Sequence, residues 1–220
     1  MGLSAGIVGL PNVGKSTLFN TITNSMVEAA NYPFATIEPN VGVVKVPDKR
    51  LEALAALINP DKITPAVCKF VDIAGLVKGA SKGEGLGNQF LSNIREVDAI
   101  CHIVRCFEDK QITHVYDGVD PVRDVEVINL ELILADLDSI ERRFSKVVSK
   151  AKNGDKQGMF EEDICRRLLT ALRASQFTKT IDFQHEELMI VKNYNLLTMK
   201  PILYVANVNE DDIAQAENNV

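Results

Sequence analysis

The 220-residue sequence has no tryptophan, only 6% aromatic residues, and no apolar run approaching the roughly 18 residues that a membrane-spanning helix needs. Its four cysteines, Cys68, Cys101, Cys106 and Cys165, form no CxxC pair and have no histidine at zinc-finger spacing. That excludes a disulfide scaffold and a zinc finger, and predicts reduced, mostly buried thiols with no disulfide-linked partner. The N-terminus lacks the basic and apolar regions of a signal peptide, and Gly6 stands where a myristoylation signal carries Ser or Thr. The expected compartment is therefore cytoplasmic, with no membrane partner. Positive charge is also in short supply: 24 Lys+Arg against 30 Asp+Glu give a net charge of -6, so only a local basic patch could attract nucleic acid. What is present, 46% hydrophobic and 25% charged residues, excludes disordered and collagen-like classes and suits one large domain or one domain with an insertion.

Apolar runs at residues 5–10, 41–46, 66–73, 99–107 and 201–206 alternate with helical patterns, one of them carrying Leu51, Leu54, Leu57 and Ile58. This alternation predicts an α/β fold with a mostly parallel sheet covered on both faces. From residue 128 the period changes. Leu130, Ile133, Leu137, Ile140, Phe144, Val147 and Ala151 form a heptad seam; Asn153-Gly154-Asp155 breaks it, and Phe160, Ile164, Leu168 and Leu172 resume it. One reading is an inserted antiparallel helical (coiled-coil) hairpin over 128–199, dividing a nucleotide-binding domain of residues 1–127 and 200–220. The other is two ordinary packing helices of the main domain. Residues 142–156 hold six basic side chains, Arg142, Arg143, Lys146, Lys150, Lys152 and Lys156, against Asp155 alone. Such a run is either a solvated face or a surface for RNA phosphates.

Gly9-Leu10-Pro11-Asn12-Val13-Gly14-Lys15-Ser16 matches GxxxxGK[ST] between the first strand and the first helix, the context a P-loop requires. Its glycines let successive N–H groups, with those of Thr17 and the helix N-terminus, curl around an anion. Lys15 is placed to reach the β- and γ-phosphates and the Ser16 hydroxyl to ligate Mg²⁺. Asn12 either caps the loop by its own side chain or helps to hold a K⁺ ion. Asp72 closes a strand and is the candidate for the far side of the metal, with the Gly75 N–H aimed at the γ-phosphate and Thr36 in a polar loop as the third metal-side residue. Loops ordered by the γ-phosphate and released on hydrolysis would make the domain a switch. A kinase is disfavoured, because no acceptor-binding lid signature occurs.

Two departures from Ras-like GTPases bear on activity. Leu76 follows Gly75 where those enzymes carry the Gln that orients the attacking water, and leucine cannot do this. His102, inside an apolar strand, reads as a satisfied core histidine. His114, in the polar stretch 109–120, reads as an exposed loop residue, either a surface histidine or one able to move toward the nucleotide. Guanine is normally read by N/T-K-x-D; here the last strand runs into Asn207-Val208-Asn209-Glu210, without the Lys and with a longer acid. Thr178-Lys179-Thr180-Ile181 offers no substitute, so adenine becomes permissible.

With these residues the sequence resembles the YchF (Obg-like ATPase) subfamily of P-loop GTPases, through the stretches beginning at Gly9, Asn31, Asp72 and Asn207 and the glycines Gly79, Gly83, Gly85 and Gly87. The resemblance covers essentially all residues. It implies a P-loop NTPase fold with a Ras-like G domain, a coiled-coil insertion and a C-terminal TGS domain. It also implies a Mg²⁺-dependent hydrolase that prefers ATP and binds the ribosome or its large subunit, with His114 replacing the missing Gln and the backbone of Val208 meeting adenine. The alternatives are a GTP-specific GTPase, or a ribosome-binding factor whose hydrolysis is incidental. The chain ends shortly after Glu210, before the last strand and helix of such a domain and any TGS domain, so a piece of a longer protein is expected.

Overall fold

The computed structural model describes residues 2–23, 40–73, 86–109, 111–116 and 118–213. Thr36, Gly75 and Leu76 lie outside them. Strands β1 (Leu3–Val8), β2 (Val41–Lys45), β3 (Val67–Asp72), β4 (Ala99–Arg105) and β5 (Ile202–Asn207) form one sheet in the order β2-β3-β1-β4-β5. All neighbours run parallel except β2 and β3, so the expectation of a mostly parallel sheet holds. From Ala5 to Val8 the central strand β1 is buried without a break, as a parallel strand flanked on both sides should be.

Helix α1 (Lys15–Thr23) lays Phe19 on the sheet, and α3 (Leu86–Glu96) buries Phe90, Leu91 and Ile94 in the same core as Ile7, Val8, Ile100 and Ile103. Coverage is incomplete at the margins. Helix α2 (Lys49–Ile58) buries none of its residues, and Leu54, Leu57 and Ile58 of its apolar face remain exposed, as do Leu203 and Tyr204 on β5. The sheet is thus not covered everywhere by the described residues.

Helix α4 (Pro121–Lys152) starts earlier than the change of period suggested. Asp120 caps it by accepting from the Arg123 N–H at 3.1 Å, and Pro121 fills the first turn, where a missing N–H is harmless. Position 128 falls inside this helix, because its first turns pack on the sheet through Ile128, Leu132 and Ala135 while later turns meet α5 (Lys156–Arg173) through Ile133 and Ile140. One helix serves two cores, which is why Leu130, assigned to a single seam, is exposed; Phe160 is likewise exposed. The reversal at Asn153-Gly154-Asp155 uses a Gly154 φ of 82° and the Asp155 side chain as cap. The two helices run antiparallel, tied by Arg143–Glu161 (2.9 Å) and Arg173–Glu141 (2.8 Å).

The chain returns through α6 (His185–Lys192) to β5, and Asp136 of α4 fastens that return. Its fully buried carboxylate accepts from the Leu197 N–H (3.1 Å), the Thr198 N–H (2.8 Å) and the Thr198 hydroxyl (2.8 Å). Burial pushes its pKa up and those donors pull it down. No helix among the described residues is long and apolar enough to cross a membrane. All four cysteines are free, Cys101 and Cys165 buried, Cys68 and Cys106 half-buried.

Candidate functional site

Because β1, β3, β4 and β5 are parallel, their carboxyl ends share one edge, where ligands of open α/β sheets bind. That edge collects the P-loop after β1, Asp72 at the end of β3, Arg105 at the end of β4 and Asn207 at the end of β5. Gly9 is required by contact: a Cβ there would sit 2.5 Å from the Ile103 carbonyl oxygen. Gly14 is required by conformation and by space, with φ +97° and the Asn207 Nδ2 only 2.6 Å from where a Cβ would be.

Lys15 is buried at the start of α1, its Nζ donating to the Leu10 carbonyl at 2.7 Å. Burial lowers its pKa, and the charge of Asp72 opposes that shift. The Ser16 hydroxyl donates to Asp72 Oδ2 at 2.9 Å, while Asp72 Oδ1 is buried with no hydrogen-bond partner among the described residues. Hydroxyl and carboxylate thus meet beside the P-loop. A buried carboxylate oxygen left without a donor suits a hard divalent cation. Val13 is buried and Thr17 exposed in the first turn.

On the base side, the Asn207 amide donates to the Val13 carbonyl at 3.0 Å, so this residue braces the P-loop. Val208 is half-buried, and Glu210 is exposed.

Three placements differ from expectation. The Asn12 side chain (backbone φ 59°) does not turn back on its own loop: its amide donates to the Thr113 carbonyl at 3.1 Å, joining the P-loop to segment 109–120. His114 is not an exposed loop histidine. Its side chain is only 6% exposed, with Nε2 2.9 Å from Asp124 Oδ2 in the first turn of α4. His102 is a core residue but not a satisfied one: its Nδ1 lacks a partner among the described residues, and burial lowers its pKa to about 4.

The residue that sequence reasoning missed is Arg105. Fully buried, it donates to the carbonyls of Phe107 (3.0 Å), Ile112 (3.1 Å) and Asp109 (3.2 Å) and stacks on Phe107, shaping the segment that carries His114. An arginine ending an otherwise apolar strand was the available signal. The segment walls a cavity of about 370 Å³ lined by Arg105, Thr113, His114 and Tyr116.

The profile of the 50S ribosome-binding GTPase family matches residues 4–150. The chain belongs to that family. Within the family it is similar to the YchF proteins along its whole length. It is 58% identical over 219 residues to the ribosome-binding ATPase YchF of Bacillus subtilis, covering 100% of this chain and 60% of that one. It is 59% identical over 217 residues to the protein of that name from Mycoplasma pneumoniae, covering 99% and 60%. Among solved structures, the YchF GTPase of Schizosaccharomyces pombe superposes with a TM-score of 0.81 at 39% identity, covering 98% of this chain and 59% of that one. The chain therefore spans about 60% of the length of the curated relatives it matches.

Proposed function

We propose that the chain is the nucleotide-hydrolysing part of a Mg²⁺-dependent, YchF-type hydrolase that prefers ATP over GTP and acts in the cytoplasm as a ribosome-associated switch. The observation that carries the reading is the Ser16–Asp72 pair with its orphaned Asp72 Oδ1, set at the N-terminus of α1 beside Lys15. Ser16 and Asp72, with Thr36 from outside the described residues, would hold the metal. When bound, Mg²⁺ supplies charge neutralisation on the phosphate oxygens. Lys15 exchanges the Leu10 carbonyl for phosphate oxygens, and the N–H groups from Val13 to Thr17 orient the chain of phosphates. Gly75 would aim its N–H at the γ-phosphate, and His114 would orient the attacking water in place of the Gln that Leu76 replaces. A K⁺ ion beside Asn12 belongs to the same proposal; with the amide N–H given to Thr113, the Asn12 side-chain oxygen is the donor type that would meet it.

The base segment supports adenine. Guanine offers N1–H and N2–H₂ to a carboxylate, and this chain has only the exposed, longer Glu210 and no lysine to pack along the ring. The hairpin supports a ribosomal RNA contact: Arg142, Arg143, Lys146 and Lys150 line one groove of about 450 Å³ against the single acid Glu161. The relatives' names themselves divide between ATPase and GTPase, so base preference is the point to measure. Titration calorimetry of Mg–ATP and Mg–GTP into the full chain is expected to give at least tenfold tighter ATP binding, about 1.4 kcal/mol. Tighter GTP binding overturns the ATP assignment.

A further inference from the structure

The His114 imidazole has both nitrogens engaged. Nδ1 lies 3.1 Å from the Tyr116 N–H and 3.2 Å from the Tyr116 carbonyl oxygen, so it is engaged whichever role it takes, and the Asp124 carboxylate, which only accepts, calls for a proton on Nε2. That proton is directed at Asp124 Oδ2, 2.9 Å away. In this arrangement the ring has neither a lone pair nor a proton to offer a water or a phosphate. The side chains are 6% and 3% exposed, so solvent does not compete for the pair.

Asp124 is the fixed member. It lies in the first turn of the 32-residue helix α4, its backbone N–H bonded to the Asp120 carbonyl, and Arg123 donates to its Oδ1 from Nε (3.2 Å) and Nη2 (3.1 Å). The His114 side has a connection to the nucleotide site instead: the preceding residue, Thr113, receives the Asn12 amide of the P-loop. A change at the P-loop is therefore felt one residue away from the ring.

We propose that Asp124 is a positioning residue that stores His114 in an inert state, and that this pair opens before hydrolysis. The proposal rests on the reading of His114 as the residue that orients the attacking water. Opening costs a charge-assisted hydrogen bond, so the stored form dominates without nucleotide. Removing the carboxylate shifts the population toward the released ring.

The test has two readouts on the full chain. The first is the ¹⁵N–¹H long-range spectrum of the imidazoles, tractable because the sequence has only 3 histidines. The nucleotide-free protein is expected to show a downfield, slowly exchanging His114 Nε2–H signal held by Asp124, lost on adding Mg²⁺ with a non-hydrolysable ATP analogue and lost without nucleotide in Asp124→Ala. The second is phosphate release from ATP. Asp124→Ala is expected to raise basal turnover about tenfold, and Asp124→Asn less, because the amide oxygen still accepts from Nε2–H. The His114→Ala/Asp124→Ala double variant is expected to abolish the gain. An unchanged, protected His114 Nε2–H signal in Asp124→Ala, or turnover lowered as far as in His114→Ala, overturns the proposal. If Asp124→Ala fails to fold, Asp124→Asn decides by turnover: a rise that His114→Ala removes supports the proposal, and no rise overturns it. No phosphate release from the wild type, together with the expected changes of the Nε2–H signal, overturns the hydrolase reading and leaves the storage of His114 standing.

Discussion

Lys15 is the residue where stability and function pull apart, and replacing it with methionine measures both. Its ammonium is buried with one acceptor, the Leu10 carbonyl at 2.7 Å, and burial lowers its pKa despite the nearby Asp72. Lys15→Met keeps the length of the side chain and removes the desolvated charge. Replacing buried charge by apolar volume is commonly neutral or stabilising by about 1–4 kcal/mol, while the orphaned Leu10 carbonyl takes back about 1 kcal/mol or more. The expected net is about 1 kcal/mol more stable without nucleotide, a rise in Tm of about 2–4 °C for a chain of this size. Nucleotide reverses the order. Loss of charge-assisted bonds to phosphate costs about 1.5–3 kcal/mol, roughly 10- to 100-fold in affinity.

The assay is thermal melting followed by far-UV circular dichroism, since the chain has no tryptophan to report on unfolding. At ATP about 100 times the wild-type Kd, the wild type gains about 2.7 kcal/mol; a variant binding 100-fold more weakly gains only about 0.4 kcal/mol. The two melting curves should therefore change places on adding Mg–ATP. The pH dependence has a definite sign. Between the lowered folded pKa and the ordinary 10.5 the unfolded chain binds the extra proton, so wild-type stability rises with pH across that window, and the variant lacks this rise. A variant that melts 2 °C or more below the wild type without nucleotide refutes the reasoning: the Leu10 contact would then outweigh the burial of the charge.

Two further outcomes follow from the same physics. His102 has a folded pKa of about 4 against an ordinary 6.5, so below pH 6.5 the unfolded state takes up a proton that the folded state refuses. About 3 kcal/mol should be lost between pH 6.5 and 4, and His102→Phe should flatten this part of a urea-denaturation pH profile. On the hairpin, Lys146 and Lys150 line the basic groove without an ion-pair partner among the described residues, whereas Arg142 and Arg143 are paired with Asp138 and Glu161. Replacing each lysine by alanine should lower the slope of log affinity for ribosomes against log salt by about 0.7–0.9, measured by pelleting across a salt series.

How much of this was legible in the sequence depends on the range of the physics. The P-loop between strand and helix and the parallel strands follow from local spacing and strand patterning, and the structure has them, while the contact of Ser16 with Asp72 is a product of strand order. The heptad seam failed at Leu130 because a period records which face of a helix is apolar but not which of two cores that face meets, and α4 serves both. Asn12, Arg105 and His114 were misread or missed for another reason. Asn12 meets Thr113 across the fold, whereas Arg105 takes the carbonyls of Phe107, Asp109 and Ile112 and His114 takes Asp124 from the irregular segment that follows β4, whose path no periodicity encodes, and buried polar groups must take whatever donors and acceptors that path supplies.

The motif names the atoms that would meet a nucleotide, and the fold gives several of the same polar groups partners within the protein. Lys15 turns to Leu10, Ser16 to Asp72, Asn12 to Thr113 and His114 to Asp124. Under the proposed function, nucleotide binding would exchange protein partners for ligand partners at several residues. Each exchange returns a hydrogen bond for the one it breaks, so the net cost of switching stays small against the gross energies involved. Asp72 Oδ1, buried without a partner among the described residues, would gain one without losing one, so a metal there would add to stability with no bond given up.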